Sequence, residues 1–157
     1  MTASVSQIIT LEEFLKLPNV EDSPAWEYSD GVAIQKPMPK FRHSIIQKRL
    51  LRTVDDNSEE YTALPELRCT FAGRSIVPDV AVVAWNRIQF NEIGEPVDNF
   101  EQPPDWTIEI LSVLIFIPQQ EPKICRGSTQ LQVLKGIDLI LTAEDVFGWL
   151  KVLQNKK

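Results

Sequence analysis

Residues 75–85, SIVPDVAVVAW, decide the fold, because every position after Asp79 in this stretch is apolar. A strand that is apolar on both faces is typical of the buried middle of a sheet, whereas a half-exposed strand alternates apolar with polar residues. Pro78 has no N–H to donate, which restricts it to a strand start, an edge or a bulge. The stretch therefore predicts a central strand with the carboxylate of Asp79 at its head.

A second apolar run, residues 106–119, WTIEILSVLIFIPQ, contains a single carboxylate, Glu109. An ionised acid in a core is costly unless it is paired or binds a metal. If the two strands are neighbours, Asp79 and Glu109 converge on one hard cation, for which Mg²⁺ is the natural choice. The residues alone leave the alternative open that Glu109 faces solvent and that Asp79 makes a turn hydrogen bond.

The rest of the chain indicates one α+β domain spanning residues 1–157, because helices and strands follow one another without a linker or a repeat. Thr10 and Glu13 form a capping box for a short helix that Pro18 ends, and Asp30-Gly31 predicts a hairpin over residues 25–36. We also predict a helix buried through Ile46, Leu50 and Val54, followed by strands over 61–71 and 75–85 that are joined at Ala72-Gly73. A long loop over 86–105 comes next, and two short strands are predicted within 130–142. The final helix is capped by Thr142 and Asp145, is buried through Val146, Leu150 and Leu153, and ends near Lys156 and Lys157.

Composition narrows the class of protein. The net charge of −6 disfavours salt-driven, non-specific binding to phosphate backbones. Two distant cysteines, Cys69 and Cys125, indicate neither a zinc site nor a disulfide framework. No segment resembles a signal peptide or a membrane span, so we expect a cytoplasmic protein. A local group of positive charges is interpreted as a solvated helix face and comprises Lys40, Arg42, Lys48, Arg49 and Arg52.

Several segments, in this order, resemble the Uma-type restriction endonuclease family of the PD-(D/E)xK superfamily: LEEFLKLP, WEYSDG, KPMPKFRHS, PELRCTFAGRSIVPDVAVVAW, PPDWTIEILS and GIDLILTAEDVFGWLK. The resemblance spans nearly the whole chain. It implies a restriction-endonuclease-like fold, with a mixed central sheet flanked by helices. It also implies hydrolysis of DNA phosphodiester bonds that depends on Mg²⁺, with Mn²⁺ as a substitute.

The resemblance also assigns site residues. Pro78-Asp79 matches the "PD" of the motif and Glu109 matches its "(D/E)", both as metal ligands. Glu27 and His43 match further polar positions near that site. For Glu27 a structural cap or salt bridge remains as reasonable as a catalytic role, and for His43 a hydrogen bond at the helix start remains open beside proton transfer.

The chain departs from the family after Glu109, where the motif's lysine position reads Ile110-Leu111. Relatives with this pattern bring the lysine from a following helix, but here Ser112 passes directly to Val113. Because parallel strands need a crossover of about a dozen residues, we predict that one helix and one core strand are missing. Loss of both would expose a sheet edge and favour marginal stability or a homodimer.

The missing lysine bears directly on function. Downstream, Lys123 and Lys135 are the nearest replacements, in a predicted loop and a predicted turn. A catalytic group needs rigid placement, which neither position offers. We therefore expect an endonuclease with an impaired active site, and the alternative is a non-catalytic remnant that acts as a binding or oligomerisation module.

Overall fold

The computed structural model describes residues 9–110, 114–116, 121 and 123–151. Within them the chain forms three α-helices: α1 (Leu11–Leu15), α2 (Phe41–Asp56) and α3 (Ala143–Gly148). The strands of the same residues are β1 (Trp26–Ser29), β2 (Val32–Gln35), β3 (Tyr61–Pro65), β4 (Cys69–Phe71), β5 (Arg74–Ile76), β6 (Val80–Ala84), β7 (Trp106–Glu109), β8 (Leu114–Phe116) and β9 (Lys123–Ile124).

The strands form two sheets. One has four strands in the order β2-β1-β5-β4, and the other has five in the order β3-β6-β7-β8-β9. The predicted α+β class is confirmed. The mixed sheet that we expected is not found, because each pairing between named strands in the described residues is antiparallel.

The predicted central strand is confirmed as β6, whose five residues are all buried. It lies between β3 and β7 in the larger sheet. The main core packs Val80, Val82 and Ile108 of this sheet against α2, α3 and the segment before α3. A strand covered on both faces has no position for a solvated side chain, which explains the unbroken apolar run of its sequence.

Two predicted strands are each divided between the sheets. Residues 61–71 supply β3 to the larger sheet and β4 to the smaller, and residues 75–85 supply β5 to the smaller and β6 to the larger. The first break includes Glu66, whose φ is 49°, and the second contains Pro78, which cannot continue a ladder. The turn at Ala72-Gly73 is confirmed, with φ of 47° and 77°.

The first hairpin and the first two predicted helices are confirmed, and α3 begins at its predicted cap but ends at Gly148, earlier than predicted. Thr10 and Glu13 form the capping box of α1, and Thr142 and Asp145 form that of α3. The hairpin joins β1 to β2 through Asp30-Gly31, both at positive φ. The buried face of α2 consists of the predicted residues, Ile46, Leu50 and Val54.

The two short strands expected within residues 130–142 are wrong. Between Leu131 and Leu141 the chain has no named strand, yet these two residues and Ile137 are buried in the main core. An apolar run buried by tertiary contacts has the same composition as a strand, so the sequence could not separate the two. Val146 is buried in α3, whereas Leu150 lies past its end, half-buried; Leu153, Lys156 and Lys157 lie outside the described residues.

The two halves of residues 106–119 supply neighbouring strands, β7 and β8, while residues 111–113 between them lie outside the described part of the chain. Glu109 at the end of β7 pairs with Leu114 at the start of β8, and the two strands are antiparallel. An antiparallel pair needs only a short connection, so no crossover helix is required at this point. Because β7 pairs with β6 on one side and β8 on the other, it does not form the exposed edge that we expected.

Two smaller points concern the class of protein. Among the described residues, no helix has the length and apolar character needed to cross a membrane.

Cys69 and Cys125 are free and buried. Burial raises the pKa of Cys69 to about 12, which makes it an unreactive core thiol.

The packing of β7 against β6 and α2 makes a first prediction. Ile108 in the main core is 0% exposed, and its replacement by alanine should lower the free energy of unfolding by about 2–5 kcal/mol, because the deleted methylenes leave a cavity. Urea denaturation measures the loss. The matched control is Ile140→Ala, since Ile140 is 80% exposed and should change stability by less than about 0.5 kcal/mol. Equal effects of the two substitutions would contradict this description of the core.

Candidate active site

A cleft of about 490 Å³ opens where the two sheets meet the start of α2. Its walls come from the turn before β1, the chain between β2 and α2, the first turns of α2, and the ends of β6 and β7. Residues that carry ionisable side chains into this cleft include Lys36, His43, Asp79 and Glu109. Apolar side chains such as Met38 and Phe147 line much of the remainder. A few convergent polar groups in a mostly apolar cleft are typical of a binding site.

The strand register brings together the two acids singled out in the sequence. Val80 of β6 pairs with Ile108 of β7, so one further step along the same ladder sets Asp79 opposite Glu109. Asp79 is buried, with 4% of its surface exposed, and its Oδ2 accepts a hydrogen bond of 2.7 Å from the backbone N–H of Ile110. That bond ties the head of β6 to the end of β7. The predicted convergence of Asp79 and Glu109 is therefore present in the structure.

Lys36 lies between these two acids and was missed in the sequence. Its Nζ donates hydrogen bonds to Asp79 Oδ1 at 2.9 Å, to Glu109 Oε2 at 3.1 Å and to the carbonyl oxygen of Val77 at 2.7 Å. The residue directly follows β2, and its backbone N–H donates to Ala25 O, which continues the hairpin ladder. The smaller sheet thus supplies the cation, and the larger sheet supplies both acids.

The charges in the cleft perturb one another. Burial lowers the pKa of Lys36, but Glu109, Asp79 and Glu27 outweigh this effect and raise it above its ordinary value. Burial raises the pKa of Glu109 to about 7; Lys36 opposes the rise, while Asp79 and Glu27 add to it. Lys36 is therefore charged at neutral pH, and Glu109 exchanges its proton near that pH.

His43 and Gln47 approach Asp79 from α2. His43 Nε2 lies 3.6 Å from Asp79 Oδ1, which allows an ion pair when the imidazole is protonated. Gln47 Nε2 donates a hydrogen bond of 2.8 Å to the backbone oxygen of Asp79. Their spacing of four residues places both side chains on one face of the helix, and this was the sequence signal that could have added Gln47 to the site.

Glu27 has an observed structural contact. Its Oε1 accepts a hydrogen bond of 2.8 Å from the backbone N–H of Val77, in the segment between β5 and β6. Its charge also contributes to the raised pKa of both Lys36 and Glu109. Glu27 therefore positions the chain that leads to Asp79, and it lies close enough to influence the charges of the cleft.

Of the two lysines considered downstream, Lys135 does not reach the cleft. Lys135 is exposed in the predicted turn, away from the residues that line the cleft. Lys123 lies in β9 and not in the expected loop, and its side chain is outside the described part of the chain. The motif directed attention to residues after Glu109, whereas Lys36 precedes that acid by 73 positions. No local pattern links two residues so far apart.

The oxygen atoms that accept hydrogen bonds from Lys36 are also suitable ligands for a hard divalent cation. Lys36 Nζ is surrounded by two carboxylate oxygens and one carbonyl oxygen, which are the ligand types that Mg²⁺ prefers. Across the described residues, no three His, Cys, Asp or Glu side chains form a metal-binding cluster on their own. A metal here would be held by Asp79 and Glu109 and would complete its shell with water or substrate oxygens.

Comparison with known proteins identifies the family. The family model Uma2, described as a putative restriction endonuclease, matches residues 11–113. The chain belongs to the Uma2 family. This family member also resembles a crystal structure described as a putative nuclease belonging to DUF820 from Anabaena variabilis, with 36% sequence identity and a TM-score of 0.78. The likeness covers 90% of this chain and 99% of that chain. No curated protein matches the sequence.

The extent of the Uma2 match bears on the predicted missing segment. The match ends at residue 113, next to the junction of Ser112 and Val113 at which we predict the missing segment. It includes Glu27, Lys36, His43, Asp79 and Glu109, so the whole candidate site lies inside the family region. The missing helix and strand remain a prediction from sequence.

The raised pKa of Glu109 makes a prediction about stability. A carboxyl group whose pKa is higher in the folded state binds more protons when folded, so its stabilising contribution is full below its ordinary pKa of 4.5 and is lost as the pH rises through about 7. We expect the free energy of unfolding to fall in this window by on the order of 1–3 kcal/mol. Urea denaturation across the window measures the fall. In Glu109→Gln this part of the pH dependence should vanish, and an unchanged profile would contradict the assignment.

Proposed function

We propose that this protein is a Mg²⁺-dependent endonuclease that hydrolyses DNA phosphodiester bonds, with Mn²⁺ as an alternative metal. The observation that carries the proposal is the convergence of Asp79 and Glu109 on one cation position inside a cleft. Membership of the Uma2 family and the likeness to a structure described as a putative nuclease support the reaction class. Asp79 and Glu109 are the proposed metal ligands.

The reaction is the hydrolysis of one P–O bond. A water oxygen attacks phosphorus and loses a proton, and the bond to the sugar oxygen breaks as that oxygen takes up a proton from solvent. A divalent ion supplies Lewis acidity and neutralises the charge that builds on the phosphate. His43 Nε2, which lies beside Asp79, is the proposed acceptor for the proton of the water.

Access for DNA is proposed at the start of α2. Lys40 and Arg42 are exposed and line the cleft, which gives this acidic protein a local positive region next to the two acids. Phosphate groups are bound chiefly by such lysine and arginine side chains. Arg52, by contrast, is paired with Asp56 four residues on and lies outside the cleft lining.

A second candidate is a non-catalytic remnant of the family that retains a binding or oligomerisation role. The observation in its favour is that Lys36 already pairs with Asp79 and Glu109, as a purely structural ion-pair cluster would. The two candidates differ in metal binding. A rise in melting temperature with Mg²⁺ or Mn²⁺ favours the nuclease, and its absence favours the remnant.

The direct test of the nuclease is cleavage of supercoiled plasmid DNA by purified protein in Mg²⁺ or Mn²⁺. We expect weak cleavage, because the lysine of the motif is absent after Glu109, and we expect a chelator to abolish it. Asp79→Ala should reduce the rate by at least about a hundredfold, because it removes a proposed metal ligand. Asp79→Asn serves as a second variant that keeps the shape of the side chain.

The matched control for this test is Asp98→Ala, since Asp98 is an exposed acid on the loop before β7. Its cleavage rate should equal that of the unmodified protein. Cleavage that survives both substitutions of Asp79 would come from another site or a contaminant, and the proposal would be rejected.

The proposed DNA surface makes a separate prediction. Arg42→Ala should weaken binding of a short DNA duplex and reduce the slope of log affinity against log salt by about one, because one phosphate contact is lost. Fluorescence anisotropy over a salt series, in the presence of a chelator, measures both quantities. Arg52→Ala is the control and should leave the slope unchanged. Equal slopes for all three proteins would place DNA elsewhere.

A further inference from the structure

We propose that Lys36 is the resident cation of the site and that its ammonium competes with a divalent metal ion for the oxygens of Asp79 and Glu109. This inference deepens the proposed function, on whose metal site it rests. In this proposal Lys36, which lies outside the motif, determines whether the two acids are available to a metal.

The first argument is that the ammonium of Lys36 is fully engaged. An ammonium has three N–H donors, and Lys36 Nζ has three acceptors within 3.1 Å: Val77 O, Asp79 Oδ1 and Glu109 Oε2. The group therefore occupies the point at which oxygens from β6, from β7 and from the segment before β6 converge. It is held there as a metal ion would be held.

The second argument is that the two cations exclude each other. A metal bound at the position of the ammonium would use Asp79 Oδ1 and Glu109 Oε2, and each of these atoms already accepts a hydrogen bond from Lys36. Mg²⁺ binds oxygen at about 2.0–2.1 Å, so the carboxylates would have to close around a smaller ion at the place of the ammonium. Two positive charges in that space would also repel each other strongly.

The third argument is that Lys36 can leave without unfolding the hairpin. Its backbone is fixed because its N–H donates to Ala25 O, so the movement is confined to the side chain. Four methylene groups separate the ammonium from that backbone and give it several rotamers. The side chain lines the cleft, which provides space for a displaced ammonium beside the two acids. There it would meet a substrate phosphate.

The first experiment compares Mn²⁺ affinities by isothermal titration calorimetry. Lys36→Met keeps an unbranched side chain one atom shorter than lysine and removes its charge, so we expect Mn²⁺ to bind at least about tenfold more tightly than to the unmodified protein. Lys40→Met is the matched control, because Lys40 lines the same cleft but is exposed. It removes an equal charge and should change the affinity much less.

The second experiment uses the unmodified protein and does not depend on how a variant folds. Lys36 is acylated with an amine-reactive reagent, and the modified fraction is read by mass spectrometry with Lys40 as the internal reference. Only 17% of the Lys36 side chain is exposed, and its three hydrogen bonds should protect it without metal. Saturating Mn²⁺ should increase the labelling of Lys36 several-fold relative to Lys40.

The outcomes separate this inference from the proposed function. If Mn²⁺ binds the unmodified protein and Lys36→Met equally, or binds the unmodified protein and leaves the labelling of Lys36 unchanged, the competition is overturned while the metal site stands. If Mn²⁺ binds Lys36→Met but not the unmodified protein, Lys36 is confirmed as the competing cation. If Mn²⁺ binds neither protein, the metal site itself fails, and the inference fails with it.

Discussion

The close approach of two carboxylates at the ends of neighbouring strands is the constraint on which this structure depends. Asp79 and Glu109 lie side by side where β6 and β7 pair, and Lys36 forms an ion pair with each of them from the end of the other sheet's hairpin. Loss of one partner from a buried ion pair costs about 3–5 kcal/mol, because the remaining charge is left without compensation. Glu27 adds a second polar link, from β1 to Val77. The junction between the sheets is therefore polar, and it is also the candidate active site.

Because the candidate site lies at this junction, the same residues contribute to the stability of the fold and to the proposed chemistry. The groups that hold the two sheets together are the same groups that a metal would bind, so binding must exchange one set of interactions for another. Asp79 illustrates the arrangement: one carboxylate oxygen is fixed by the N–H of Ile110, and the other faces Lys36. An acid held by one oxygen and free to exchange partners at the other is suited to metal binding without loss of its position.

The match to the Uma2 family ends at residue 113, between the acid-bearing strand β7 and its neighbour β8. β7 continues into β8 as an antiparallel partner, so the neighbour of the acid-bearing strand is the next strand in sequence. No lysine follows Glu109 at the motif position, which reads Ile110-Leu111, yet the site has a positive charge because Lys36 reaches it from the end of the first hairpin. A positive charge can compensate the two carboxylates from any position in the sequence, provided that the folded chain brings it close to them in space.

The sequence by itself determined the elements with a local cause: both capping boxes, the Asp30-Gly31 hairpin, the buried face of α2 and the burial of β6. It singled out Asp79 and Glu109, but their pairing depended on the register of β6 with β7. Capping, turn geometry and apolar periodicity act over a few residues and are visible in a short window. Only the tertiary structure decided the division of residues 61–71 and 75–85 between two sheets, the strand-free packing of 131–141, and the place of Lys36. These features depend on contacts between distant segments, whose strength is set by burial and by charges that meet only when the chain has folded.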